Sequence, residues 1–285
     1  MNNSSMQNIL NSLASGNIVP YLGPGVLQGV VDRSSGLPIP ADSNSLILAM
    51  TGGQPMAPRL MYEFPRAAMH LENKKGRSFI ERFLTQTYGG DNWTTSPFHQ
   101  WLASLRLPYV IDCNRDTQLQ HAYADRLHTL VVGAARIAAT PYRFDLYQFD
   151  GTRYHPISLE QVDSELPVLF KPVGTPLPKP NYVASDADFV DYITELMGGF
   201  AVPAWIKLQR RNKRYLFLGM RFNRDTERMV MSDLIHDAAD DAGWVLIADP
   251  SAKERKVCER KNLQLIEADW SELFALASPD TTKVA

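Results

Sequence analysis

The residues with the clearest chemical potential stand just beyond short apolar runs. Gly23-Pro24-Gly25 follows Ile18 to Leu22, a run that reads as a buried strand entering a tight turn. A Gly-x-Gly turn lets backbone N–H groups approach a phosphate, because no Cβ stands in the way. A helix starting just beyond adds its positive end to the same place. The dinucleotide fingerprint calls for a third glycine where Gln28 stands, and Pro24 removes one donor. The same spacing also suits an ordinary strand-turn-helix. A second apolar run, Leu107 to Asp112, ends in Asp112-Cys113-Asn114-Arg115-Asp116. Open α/β sheets place ligands at such carboxyl ends. Asn114 and Asp116 equally suit capping of the next helix.

The composition bounds the chemistry. The chain has 285 residues, 45% of them hydrophobic, which is ample for one large α/β domain with inserts. A net charge of -2 offers no basic field for nucleic acid. Cys113 and Cys258 are too few for a four-cysteine zinc site and suggest no disulfide scaffold. No apolar run approaches the roughly 20 residues of a membrane span. Met1 to Gln7 is polar and uncharged, unlike a secretory signal. The expectation is a cytoplasmic protein with no metal and no membrane partner.

The elements that must position these residues alternate. A first helix is expected over residues 4–15, and helical pieces over 44–90 broken at Gly52-Gly53, Pro55, Pro58 and Gly76. Met56, Met61 and Met69 read as core filler there. Ser96 and Pro97 open another helix, as N-cap and first position. Residues 127–160 read as a small β insert: apolar Leu130 to Ile137, then a hairpin turning at Asp150-Gly151, with Tyr142, Tyr147 and Tyr154 offered as a contact surface. Further buried strands are expected at Leu166 to Val173, Tyr215 to Leu218, Trp244 to Ala248 and Leu263 to Ile266. Ser185 and Asp188 stand in capping-box spacing, and Arg210 to Arg214 form a basic cluster. Strands alternating with helices give a doubly wound, mostly parallel Rossmann-like sheet. One domain is expected over 1–276, with a helical insert about 44–95, the β insert about 127–160, and a disordered tail over 277–285.

In order and spacing, the strand ends resemble the sirtuin-like superfamily, in particular its compact zinc-free branch, which includes NAD-hydrolysing defence proteins. Gly23-Pro24-Gly25 is similar to the family's Gly-Ala-Gly turn, and Ser35-Gly36-Leu37-Pro38 to its Ser-Gly-Ile-Pro loop. Phe98-His99 through Asp112-Cys113-Asn114-Arg115-Asp116 is similar to the segment whose Asn and Asp contact the nicotinamide ribose. Lys171-Pro172-Val173-Gly174 looks like the family's Lys-Leu-His-Gly, and Gly219 with Asn223 and Asp225 like the loop over the adenosine. The resemblance spans roughly Gly16 to Ile266. It implies NAD or ADP-ribose as ligand, held by Gly23, Gly25, Asn114, Asp116, Gly219, Asn223 and Asp225.

The departures bear on activity. The family's catalytic histidine falls at Val173, and valine takes no proton. Loss of a positioned base costs roughly 10²–10⁴-fold in rate. Asp112 is expected to repel a pyrophosphate unless a cation intervenes. The six histidines fall in helices or in the β insert, where an isolated imidazole is usually structural. The preferred expectation is therefore a non-catalytic accessory protein that binds another protein or complex. Stand-alone relatives occur as accessory factors in bacterial gene neighbourhoods, and an association with nitrogen fixation makes a nitrogenase component one implied partner. No residue carries that last association. The alternatives are a nucleotide sensor, or an NAD hydrolase in which Asn114 and Asp116 orient the ribose and a water.

Overall fold

Uninterrupted burial selects the strands that form the centre of the molecule. All five residues of β1 (Ile18–Leu22) are buried, as are all four of β2 (Tyr109–Asp112). Strands covered on both faces read as continuous apolar runs, the pattern of a parallel sheet between helical layers. A computed structural model describes residues 2–135 and 142–278. It continues the strands with β3 (His128–Gly133), β4 (Phe144–Phe149), β5 (Tyr154–Pro156), β6 (Val168–Lys171), β7 (Gly174–Thr175), β8 (Asn181–Tyr182), β9 (Arg214–Leu218), β10 (Gly243–Leu246) and β11 (Leu263–Ile266). Nine of these form one sheet in the order β11-β10-β9-β1-β2-β6-β3-β4-β5, and β7 pairs with β8 apart from it. Among the described residues, the antiparallel pairings within the large sheet are β3 with β4 and β4 with β5.

The helices are α1 (Asn2–Ala14), α2 (Ser43–Met50), α3 (Pro58–Met61), α4 (Phe64–Lys75), α5 (Arg77–Tyr88), α6 (Pro97–Ser104), α7 (Gln118–Ala122), α8 (Asp186–Gly198), α9 (Ala204–Gln209), α10 (Asp225–Leu234), α11 (Ala252–Arg260) and α12 (Trp270–Ala277). Val19, Tyr21, Ile111, Phe170 and Phe217 pack one sheet face against Tyr192 of α8 and Met231 of α10. Ile18, Leu22, Val110 and Leu169 pack the other against Leu102 of α6 and Leu273 of α12. Each such side chain contributes about 1.5–3 kcal/mol on burial. A third cluster, with Ile47, Phe64, Ala68, Ile80 and Leu84, holds α2, α4 and α5 together as a helical insertion. Among the described residues no helix is long and apolar enough to cross a membrane.

Register brings the polar strand ends level. Leu22 pairs with Asp112 on β2 and with Leu218 on β9. From β1 the chain moves to β2 on one side, and it later returns to β9 on the other. The β1/β9 boundary is thus the topological switch point, where doubly wound sheets form their crevice.

Several local expectations change. β3 does not belong to a separate insert, because it runs parallel with β6 in the central sheet; the antiparallel addition is β4 and β5 alone. Its apolar run is buried on both faces, so it competes for a place in the core. Tyr147 is buried, and the Tyr154 hydroxyl is hydrogen-bonded to His128 Nε2 at 2.7 Å, which leaves Tyr142 as the exposed aromatic of that set. Arg210 is buried and donates to the carbonyl of Asp233, while Arg214 stacks on Trp244 and pairs with Asp241, so two members of the basic cluster are engaged within the chain. Residues 136–141 of the β insert, including Ile137, and 279–285 of the tail lie outside the described residues.

Candidate functional site

The glycine turn after β1 is built against the turn after β9. Gly23 N donates to Leu218 O at 2.9 Å and Gly25 N to Gly219 O at 2.8 Å. Val26 N turns back to Gly23 O at 3.3 Å and Gln28 N to Gly25 O at 3.0 Å, while Pro24 has no N–H. The donors that a phosphate would need are therefore engaged. The glycines answer to close approach between the two turns: a Cβ on Gly25 would meet Gly219 Cα at 2.8 Å, and one on Gly23 would overlap Met220 Sδ. Gly219 has φ +64°, and a Cβ there would overlap Val26 N.

Beside this turn lies a fully buried polar set. Lys171 Nζ donates to Asp112 Oδ2 at 2.7 Å, and neither side chain is exposed. The other Asp112 oxygen accepts from Asn114 N at 3.0 Å and from Asn114 Nδ2 at 2.8 Å. Asn114 Nδ2 also donates to Gly23 O at 3.0 Å. Asp112 is thus not the free repelling charge expected from the sequence; Lys171, from the end of β6, neutralises it. Asp116 is buried, accepts from Gln118 N at 2.7 Å as it leads into α7, and keeps its second oxygen without a partner. It lines no cavity described below.

Two spaces at the switch point share Pro24, Leu27, Met220 and Glu227 in their lining. The inner cavity holds about 70 Å³ between Tyr21, Phe64, Asn114, Val173, Phe189 and Glu227. A cavity of about 150 Å³ is what accommodates a benzene. Val173 supplies an apolar wall. Cys113 also faces this space, but burial pushes its thiol up to about 12. None of the six histidines lines either space. His99 is buried on α6 with Nδ1 against Ser96 Oγ at 2.8 Å, and burial lowers its pKa. His128 sits at the start of β3 and is lowered to about 4, again by burial.

Glu227, on α10, was not singled out in the sequence and lines both spaces. Burial, reinforced by nearby Glu63, pushes its carboxyl up to about 7, against the opposing charges of Arg224 and Arg115. Glu63 itself accepts from Thr226 N at 3.0 Å and from the Thr226 hydroxyl. Among the described residues Glu227 is the cavity-lining group with a pKa suited to general-base work, yet no described side chain orients it as a base is normally oriented.

The outer cleft is larger, about 580 Å³, and runs across the carboxyl ends of β1, β9 and β10. Gly25, Gly219 and Asn223 line it; Asp225 does not, being exposed and paired with Arg228 and Lys253. Arg221 on the rim is committed to Glu254 at 2.7 Å. Arg224 stands over the Tyr62 ring at 4.9 Å. The α2 and α12 N-termini also reach the rim, but aspartates cap them: Asp42 accepts from Asn44 N and Asp269 from Ser271 N. Carboxylates thus occupy both helix ends that would otherwise attract an anion.

A family model described as SIR2-like domain matches residues 108–266, more than half of the chain. The chain belongs to the SIR2-like family. A search of curated proteins returns no match. The matched segment carries Asp112, Asn114, Asp116, Lys171, Val173, Gly219 and Asn223, while the glycine turn and α1 to α6 precede it. Measured against the NAD that the SIR2-like fold implies, the two ends of the site differ. The outer cleft has room for a nucleoside. The inner end is small, its asparagine is engaged, and the turn offers no open donor, so the residues present do not fit a cleavable NAD. Among the described residues no cluster of three or more His, Cys, Asp or Glu is placed to hold a metal.

Proposed function

We propose that this SIR2-like chain is a non-catalytic binding protein, an accessory factor whose work lies in protein contacts. One observation carries the reading: at the end of β6, Val173 walls a small cavity where proton transfer would have to occur, and no histidine reaches it. Supporting it, the Asn114 amide bonds inward to Asp112 and Gly23, and the turn donors bond across to β9. Function resides in the site rather than in the fold, and this site lacks the parts of the reaction.

A second reading is a nucleotide sensor that binds NAD or ADP-ribose without cleaving it. The outer cleft of about 580 Å³ at the switch point favours it. Titration calorimetry with ADP-ribose separates the two. Saturable heat that is lost in Asn223→Ala supports the sensor, and no heat at millimolar ADP-ribose leaves protein contact as the function. Nicotinamide release from NAD tests the non-catalytic core that both share.

A further inference from the structure

The face of the sheet remote from α6 and α12 carries a set of exposed apolar side chains. On α8, Val190 is 66% exposed and Met197, two turns later, 75%. On α10, Met229 is 48% exposed. Exposed apolar residues are ordinary when scattered, but Met197 and Met229 line one groove. A groove of about 530 Å³ runs between α8, α10 and α11, with Ile193, Met197, Met229 and Val257 as its apolar lining. Methionines suit such a surface because their flexible thioethers repack against varied partners.

Shape and charge specify the occupant. The walls are helices whose backbone groups are bonded internally, so no free strand edge offers itself for an added strand; a helix laid in the groove is the fitting mode. The rim is basic. Arg260 is exposed, and neither it nor Lys261 has a carboxylate within ion-pair distance among the described residues. Arg228, paired with Asp225, adds a third cation, and Asp233 is the single acid lining the groove. Three cations against one acid, Asp233, whose carboxylate lies in the field of Lys261, leave the groove lining net positive beside an apolar floor, and this selects a partner with acidic flanks through electrostatic complementarity.

We propose that the α8–α10–α11 groove docks an amphipathic helix of a partner protein, its apolar stripe on Met197 and Met229 and its acidic flank on Arg260 and Lys261. This deepens the reading of the chain as a binding protein and rests on it. α10 links the two regions, since Glu227 lines the cavities while Met229 lines the groove.

The test uses two fluorescein-labelled helical peptides of about four turns with the same leucine stripe, one flanked by glutamates and one by lysines. Fluorescence anisotropy should show saturable binding of the acidic peptide, about tenfold or more tighter than the basic one at low salt. Arg260→Glu with Lys261→Glu should reverse that preference, and Met197→Ser with Met229→Ser should abolish binding of both. Because all four side chains lie at the surface, thermal melts by circular dichroism should match the parent. Equal binding of the two peptides, binding of neither, or binding indifferent to these substitutions would overturn the proposal. So would sedimentation showing self-association that Met229→Ser removes, which would assign the groove to a second copy. NAD turnover is read in a separate assay, so failure of the non-catalytic reading is distinguishable from failure of the groove.

Discussion

At the residue scale, the buried Lys171–Asp112 pair dominates the inner end of the site. Two charges taken from water are tolerated only when their geometry is good and their remaining bonding positions are filled. Asp112 meets that condition with three donors, two of them from Asn114. Lys171→Met should therefore cost about 3–5 kcal/mol, measured by urea unfolding, because it strands a buried carboxylate. Adding Asp112→Asn should recover part of that loss. Glu227 gives a pH signature. Its folded-state pKa, about 7, lies above the ordinary 4.5, so the folded state holds the proton more tightly. That stabilisation is full below the ordinary value and is lost as pH rises through the window from 4.5 to about 7. Glu227→Gln should accordingly raise Tm by a few degrees at about pH 8 and change it little at about pH 4.5. A larger gain on the acidic side would mean that the carboxyl is not held in its neutral form by burial.

At the element scale, two turns pack glycine against glycine, and this contact shapes the cleft. Gly219→Ala combines a positive φ with a Cβ that overlaps Val26 N, whereas Gly29→Ala meets the strain of φ +88° with nothing within 4 Å. Strain alone is worth about 1–3 kcal/mol, so Gly219→Ala should be the more destabilising by at least about 1 kcal/mol in denaturant melts. The strand ends were legible in the sequence because each is an apolar run closed by glycine or by polar residues. So were local caps: Ser96 accepts from His99 N, and Asp188 from Ser185 N, as their spacing predicts. Features decided by distant partners were not legible. Nothing local announces that Gly25 N is spent on Gly219, that Arg214 lies on Trp244, or that β3 inserts beside β6. Glu227 escaped notice for the same reason, since its shift arises from burial by the assembled fold and then from Glu63, far away in sequence.

At the scale of the whole molecule, a SIR2-like sheet carries a crevice at its switch point, and the function we propose for it involves no NAD cleavage. Val173 walls the inner cavity, a lysine-bound aspartate lies beside the asparagine, and aspartates cap both helix ends at the rim. The groove on α8, α10 and α11 gives the same fold an outward-facing surface of distinct chemistry. The central claim is chemical silence, and chromatographic quantification of nicotinamide from NAD, incubated with protein at near-stoichiometric concentration, tests it most directly. The expected result is release no faster than in buffer alone, for the parent chain and for Asn114→Ala alike. Release by the parent that falls to background in Asn114→Ala or Glu227→Gln would contradict it.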